Sequence, residues 1–271
     1  MESEDMKKIA FIGAGNMAKA IIKGLIKSNL YPANEIVVYN HRYAPTLQQL
    51  AEETGIQGTT VLTEAVAQAE VIVLAVKPFV FKSLLPQLKP LLTDEQLLVS
   101  IAAGVTIEEM TSVLGQQKIV RVMPNTPSFV GEGMSSISPN ALATEEDTRF
   151  VQQLFESMGK AAVVPENMID AVIGVSGSSP AYTYVFIEAL ADGAVAEGMP
   201  RAMAYEFAAQ AVLGAAKMVL ETHEHPGVLK DQVTSPGGTT IQAIKTLEEN
   251  GFRSAVMKAV HAAAEKNRTL S

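Results

Sequence analysis

An apolar, strand-like run, KKIAFIG (7–13), passes without a break into Gly13-Ala14-Gly15-Asn16-Met17-Ala18, and helix-forming residues follow from Met17 to Ser28. Strand, glycine turn and helix in direct succession restrict the fold more than any other stretch of the chain. Gly13 permits the tight turn, Gly15 lets a ligand come close to the backbone, and Ala18 is small enough for the helix to lie against the strand. The first turn of that helix offers free backbone N–H groups to an anion, and a dinucleotide pyrophosphate fits the position. A βα turn that binds nothing is the competing reading.

The alternation continues through residue 165. Short β-branched runs at EIVVYN (35–40), AEVIVLAVKP (69–78), QLLVSIAAG (96–104) and KIVRVMPNTP (118–127) are separated by helical stretches. This predicts βαβ units and a mainly parallel sheet. Two weaker strands, Met134–Ser138 and Ala161–Val164, flank a helix over Glu145–Met158 that has acids in its first turn and Gly159 beyond its end. After Pro165 strand signals stop. Helices are predicted over Pro180–Glu197, Pro200–Thr222, Thr239–Glu249 and Phe252–Asn267. The segment YVFIEALADGAVAEG is apolar or small nearly all round, so it must be buried on most faces. Helix–helix contacts in an oligomer would bury it, and a self-contained helical core is the alternative. The expected division is residues 1–165 and 166–271.

Composition removes several function classes. With 21 basic against 29 acidic residues, the net charge of −8 leaves no surplus for a general nucleic-acid binder. The absence of cysteine excludes disulfides, thiol nucleophiles and cysteine-ligated metals. The start, MESEDMKK, is acidic before it is basic and does not read as a signal peptide, and the longest clean apolar run, Val71–Val76, is far too short to span a membrane. These features suggest a cytoplasmic protein with no membrane partner.

The candidate chemistry lies at the strand ends, where open α/β sheets bind ligands. After the second strand come Asn40, His41 and Arg42 in place of the acid that usually takes an NAD ribose hydroxyl. Arg42 can pair with a 2′-phosphate, with Asn40 and His41 as hydrogen-bonding neighbours, which favours NADPH over NADH; a solvated arginine is the bland alternative. Lys77 leaves the third strand in Ala75-Val76-Lys77-Pro78, and Ala102-Ala103-Gly104 would let a nicotinamide ribose lie against the backbone. Asn125, between Pro124 and Pro127, offers both a donor and an acceptor.

In Ser235-Pro236-Gly237-Gly238-Thr239-Thr240 the Ser-Pro pair can simply start a helix. Two glycines, however, are poor helix formers, each costing about 1 kcal/mol against alanine. Their exposed N–H groups form a carboxylate cradle, to which the two threonines add hydroxyls. Gly177-Ser178-Ser179-Pro180-Ala181-Tyr182 is either a second ligand turn or a plain helix start. His223 and His225 resemble a helix end rather than a metal site. Ser176, Ser178 and Ser179 have no histidine or acid near them in sequence to support a hydrolase triad.

Six pieces in order, FIGAGNMA, AVKP, IAAGV, VMPNTP, GSSPAY and DQVTSPGGTTIQAI, resemble the Δ1-pyrroline-5-carboxylate reductase family over essentially the whole chain. The resemblance implies an α/β fold with an N-terminal Rossmann-like dinucleotide-binding domain and a C-terminal all-α dimerisation domain. It implies NADPH-dependent reduction of L-1-pyrroline-5-carboxylate to L-proline, the last step of proline synthesis, with NADH weaker. It also implies homodimers, often assembled into decamers. The cofactor contacts it assigns are Ile12, Gly13, Ala14, Gly15, Asn16, Met17, Asn40, Ala75, Val76, Lys77, Pro78, Ile101, Ala102 and Ala103. Val233, Thr239 and Thr240 would line the substrate site, with Ser235, Gly237 and Gly238 beside them. Thr240 is the candidate catalytic residue, hydrogen-bonding the ring nitrogen.

There are two departures from the family pattern. Ser179 stands where many members have glycine, and Leu62 stands where many carry an asparagine near the adenine. Rival readings are a β-hydroxyacid dehydrogenase, another cyclic-imine reductase and a non-catalytic NADPH-binding regulator. The first is disfavoured because no lysine lies between Gly174 and Leu190 to serve as a base.

Overall fold

The computed structural model describes residues 6–269, so the acidic start read from residues 1–5 lies outside the described part. Contacts divide the chain into two compact units, one ending at Gly177 and joined by residues from Ala263 onward, the other Ser178–Ala262.

The first unit holds an eight-stranded sheet: β1 (Ile9–Ile12), β2 (Ile36–Tyr39), β3 (Gln57–Thr59), β4 (Val71–Leu74), β5 (Leu97–Ser100), β6 (Lys118–Met123), β7 (Gly133–Pro139) and β8 (Gly159–Val163). Their order is β3-β2-β1-β4-β5-β6-β7-β8. All neighbours are parallel except β6 and β7, which run antiparallel. Seven of these strands fall on the predicted runs. β3 does not: it is a three-residue edge strand, QGT, without the apolar run that marks a buried strand.

β1, β4 and β5 are buried at every residue, as strands covered by helices on both faces must be. Ile9 and Phe11 face a cluster with Ile21, Ile22, Leu25, Val151 and Phe155. Ala10 and Ile12 face the opposite cluster, with Leu84, Leu85, Leu98 and Met110. Strand order reverses between β1 and β4, which opens a crevice above their carboxyl ends.

The compositional change near Pro165 precedes the division in contacts because the next residues still belong to the sheet unit. Glu166 pairs with Arg121 of β6, and Ile169 is buried. At the far end of the chain, Asn267 and Arg268 donate to the two carboxylate oxygens of Asp170 at 2.8 and 3.2 Å.

The second unit is helical throughout, and its helices lie where the sequence predicts them: Ser179–Ala196, Arg201–Thr222, Thr239–Glu249 and the greater part of Phe252–Arg268. A short helix, Pro226–Gln232, is additional. Of this unit only Ala191, Ala204 and Ala208 are buried, and they form one small cluster. Tyr184, Val185, Phe207, Leu213 and Met257 are more than half exposed. An apolar surface of this extent on one helical unit marks an association face.

A buried polar group secures the helix Glu145–Glu156 at the base of the sheet. Asp147 and Thr144 form a reciprocal cap, with Lys7 and Lys118 both 3.8 Å from the carboxylate. Burial pushes the Asp147 carboxyl up, but the Thr144 backbone and hydroxyl bonds and the two lysines outweigh it, leaving it below the ordinary carboxylate range. Its contribution to stability is therefore full above about pH 4 and is lost as the pH falls through the lower folded value. Thr144→Ala should cost about 1 kcal/mol. Asp147→Asn should lower the thermal midpoint at pH 7, with the gap to the parent closing in scans taken at successively lower pH.

Candidate functional site

A cleft of about 1130 Å³ lies at the carboxyl ends of β1, β2, β4 and β5. Ile12, Gly13, Ala14, Gly15, Asn16 and Met17 form its floor. Asn40 and His41 close one end, Ala75, Val76, Lys77 and Pro78 form the middle, and Ile101, Ala102 and Ala103 form the other end. The structure thus brings together nearly all the predicted cofactor residues, drawn from four separate strand ends.

The two glycines of the turn act differently. Gly13 has φ +111°, and a Cβ there would sit 2.8 Å from the Ala75 carbonyl oxygen, so the turn itself demands glycine. Its N–H donates to Tyr39 O at 2.8 Å, while Ala75 N donates to Ile12 O at 2.9 Å. Gly15 is extended at φ −72°, and a Cβ would meet only Ala75 O at 3.9 Å. The fold leaves room for a side chain at Gly15. The helix Asn16–Lys27 that it caps has no side-chain cap on its first N–H groups. An open face beside uncapped donors fits a pyrophosphate and disfavours the ligand-free turn.

Two of the predicted residues lie elsewhere. Asn125 is buried behind the wall rather than in it: its Nδ2 donates to Ser176 O at 3.0 Å and its Oδ1 accepts from Met134 N at 2.9 Å. Its amide stabilises the loop, and its neighbour Thr126 faces the cleft. Arg42 is exposed and outside the lining residues, with its carbonyl accepting from Asn40 Nδ2 at 2.8 Å. Leu62 starts the helix Leu62–Ala67 and packs against the core, so that position offers no amide.

Lys19, Thr46, Ser83 and Gln87 also line the cleft. Lys19 was legible in principle, because it lies one helical turn beyond Gly15. The other three sit on elements whose rotation no local motif fixes.

In the second unit the predicted substrate residues occupy one turn and the adjoining helix start. Gly238 N donates to Ser235 O at 3.1 Å, and Gly237 has φ +69°. Proline then left-handed glycine at the centre of such a turn is the type II pattern. A Cβ on Gly238 would lie 2.4 Å from Ser235 Oγ. The helix begins at Thr239 with Gly238 as its cap and no side-chain bond to its first donors. The Ser-Pro pair therefore shapes the turn instead of starting the helix, and the cradle of N–H groups is open. Val233 is 66% exposed just before this turn.

Ser179 is the first residue of the helix Ser179–Ala196 and has no left-handed φ, so this turn does not require glycine. His223 closes one helix at φ +57°, and His225 Nδ1 accepts from Gly227 N at the start of the next.

Residues 166–270 match the family model described as pyrroline-5-carboxylate reductase dimerisation. Residues 8–104 match the model described as NADP oxidoreductase coenzyme F420-dependent. The exposed apolar surface of the helical unit thus lies within a region that matches a dimerisation family, which supports a homo-oligomer. No helix among the described residues is long and apolar enough to cross a membrane.

The pyrroline-5-carboxylate reductase of Escherichia coli is 52% identical over 266 residues, covering 98% of each chain. The solved structure of a pyrroline-5-carboxylate reductase from Coxiella burnetii superposes with a TM-score of 0.93 at 38% identity, covering 98% of this chain and 99% of that one. The Plasmodium falciparum pyrroline carboxylate reductase, solved with NADP bound, gives 0.86 at 33% identity, covering 97% and 98%. With a glycine turn of the dinucleotide type in one unit, a glycine cradle in the other and likeness of this extent across both, the chain belongs to the pyrroline-5-carboxylate reductase family.

Proposed function

We propose that the protein reduces L-1-pyrroline-5-carboxylate to L-proline with NADPH. The observation that carries this reading is a pair of glycine-led helix starts without side-chain caps, one at Gly15 and one at Gly238. Each offers backbone donors to an anion. The first takes the dinucleotide pyrophosphate and the second the carboxylate of the substrate.

The bound dinucleotide supplies the hydride. The chain's part is to bind, orient and exclude water. Gly13 fixes the turn so that the helix Asn16–Lys27 points its free N–H groups into the cleft. Lys19 adds a positive charge beside them. Ala102 and Ala103, beside the larger Ile101, present a low wall for the nicotinamide end. The N–H groups around Gly237–Thr240 orient the substrate by its carboxylate, and the Thr240 hydroxyl hydrogen-bonds the ring nitrogen and relays its proton. Because a protonated cyclic imine is already electrophilic, positioning supplies most of what is needed. The working unit in this reading is the homodimer, with a decamer as its higher assembly. A cytoplasmic location belongs to the same reading and is supported by the cysteine-free sequence.

The direct test is NADPH oxidation followed by absorbance with L-1-pyrroline-5-carboxylate, and NADH run in parallel. Turnover favouring NADPH is expected, and no turnover with either cofactor while NADPH binds would overturn the reading. Arg42→Ala should raise KM for NADPH by roughly tenfold to a hundredfold, the equivalent of one charge-assisted hydrogen bond. It should leave the NADH values unchanged; equal effects on both cofactors would remove Arg42 from 2′-phosphate recognition. Thr240→Ala should lower kcat by about a hundredfold, the lower range for a positioned proton donor, with Thr240→Ser restoring most of it. Unchanged kcat and KM in Thr240→Ala would end the assignment.

A further inference from the structure

Arg121 of β6 is buried in the sheet with its side chain 4% exposed, in register with Ser100 of β5 and Ser138 of β7. Its Nη1 donates to Glu166 Oε1 at 2.8 Å. The same oxygen accepts the backbone N–H of Ile107 at 2.8 Å. Arg121 Nε and Nη2 are buried with no partner among the described residues. For stability alone this is a poor choice, because a buried ion pair with unmet donors is often matched or bettered by an apolar residue. Its strand neighbours Val120 and Val122 are apolar. What the guanidinium provides is a fixed point for Glu166, and Glu166 provides one for Ile107.

Ile107 is the first residue of the helix Ile107–Leu114, and the segment leading to it carries Ile101, Ala102 and Ala103, the far wall of the cleft. This segment is held at its start by Ile101 N to Leu74 O at 3.2 Å. At its end it is held by the reciprocal cap between Thr106 and Glu109, and by Glu166. Two of these ties come from outside the strand-and-helix pair the segment joins: Leu74 of β4 fixes its start, and Glu166 fixes the position of its end as well as its shape. Neither Arg121 nor Glu166 lines the cleft.

We propose that Arg121 and Glu166 are positioning residues that hold the 101–106 wall, through the Ile107 N–H, at the distance hydride transfer requires. The proposal rests on the reading above, in which the nicotinamide lies against this wall.

The test compares Glu166→Ala, Glu166→Gln and Arg121→Met with the parent protein. Amide hydrogen exchange is measured on the ligand-free protein, NADPH affinity by calorimetry, and then kcat. In Glu166→Ala the peptide covering 101–107 should exchange faster while β1 and β4 stay protected. Its kcat should fall by about tenfold to a hundredfold with NADPH Kd within about threefold, since chemistry is more sensitive than binding to a displacement near 1 Å. Glu166→Gln keeps an acceptor for Ile107 and should keep the parent's exchange pattern and most of its kcat. Arg121→Met should share the exchange signature of Glu166→Ala, and parent-like exchange at 101–107 in that variant would remove Arg121 from the clamp. Unchanged exchange at 101–107 in Glu166→Ala, acceleration spread evenly over the sheet, or a kcat loss matched by an equal loss of affinity would overturn the proposal. If the parent gives no turnover, it is the reductase reading that fails, and exchange with calorimetry still decides the clamp.

Discussion

The close approach of Gly13 to the Ala75 carbonyl is the constraint on which the nucleotide half depends. It lets the end of β1 fold back beside the end of β4, the one place where strand order reverses. Any side chain at residue 13 would enter the space of that carbonyl and also face a left-handed backbone angle. The helix that follows is aimed by this contact, with Ala18 buried on its sheet-facing side. The cleft, the uncapped donors and the reach of Lys19 into it all follow from that geometry.

The two units solve burial differently. The sheet unit encloses its own core on both faces, with strands that are buried end to end. The helical unit contributes a seam of three alanines and leaves tyrosine, phenylalanine, leucine and methionine side chains outside. Small residues let the helices Ser179–Ala196 and Arg201–Thr222 approach closely but bury little area, so this seam sets their spacing more than it stabilises them. The apolar side chains left outside are the surface that a second copy would cover, in keeping with the dimerisation family match.

Most of the fold was legible because its periodicities are strong. Continuous β-branched runs read as buried strands, and helix ends were marked by Pro180, Pro200, Asn250 and Gly251. β3 was not legible, because a three-residue edge strand carries no pattern. The floor of the cleft was legible because it is contiguous in sequence, and its far walls because strand ends point one way in a parallel sheet. Asn125 was misplaced for an instructive reason. An amide between two prolines suits a ligand and a loop equally well, and only the positions of Ser176 and Met134 show which it serves. The Arg121–Glu166–Ile107 tie was invisible, since its partners lie 45 and 59 residues apart in sequence.

The thin alanine seam has a consequence for how the molecule behaves on dilution. The Ser235–Thr240 turn belongs to the unit with the small buried cluster and the exposed apolar face, whereas the glycine turn at residue 13 belongs to the unit that encloses its own core. Mass action therefore acts on the two units differently: as protein concentration falls below the dissociation constant of the assembly, the apolar face of the helical unit is uncovered, while the sheet unit keeps the core that surrounds its cleft. Changes on dilution would then reach the helical unit before they reach the sheet.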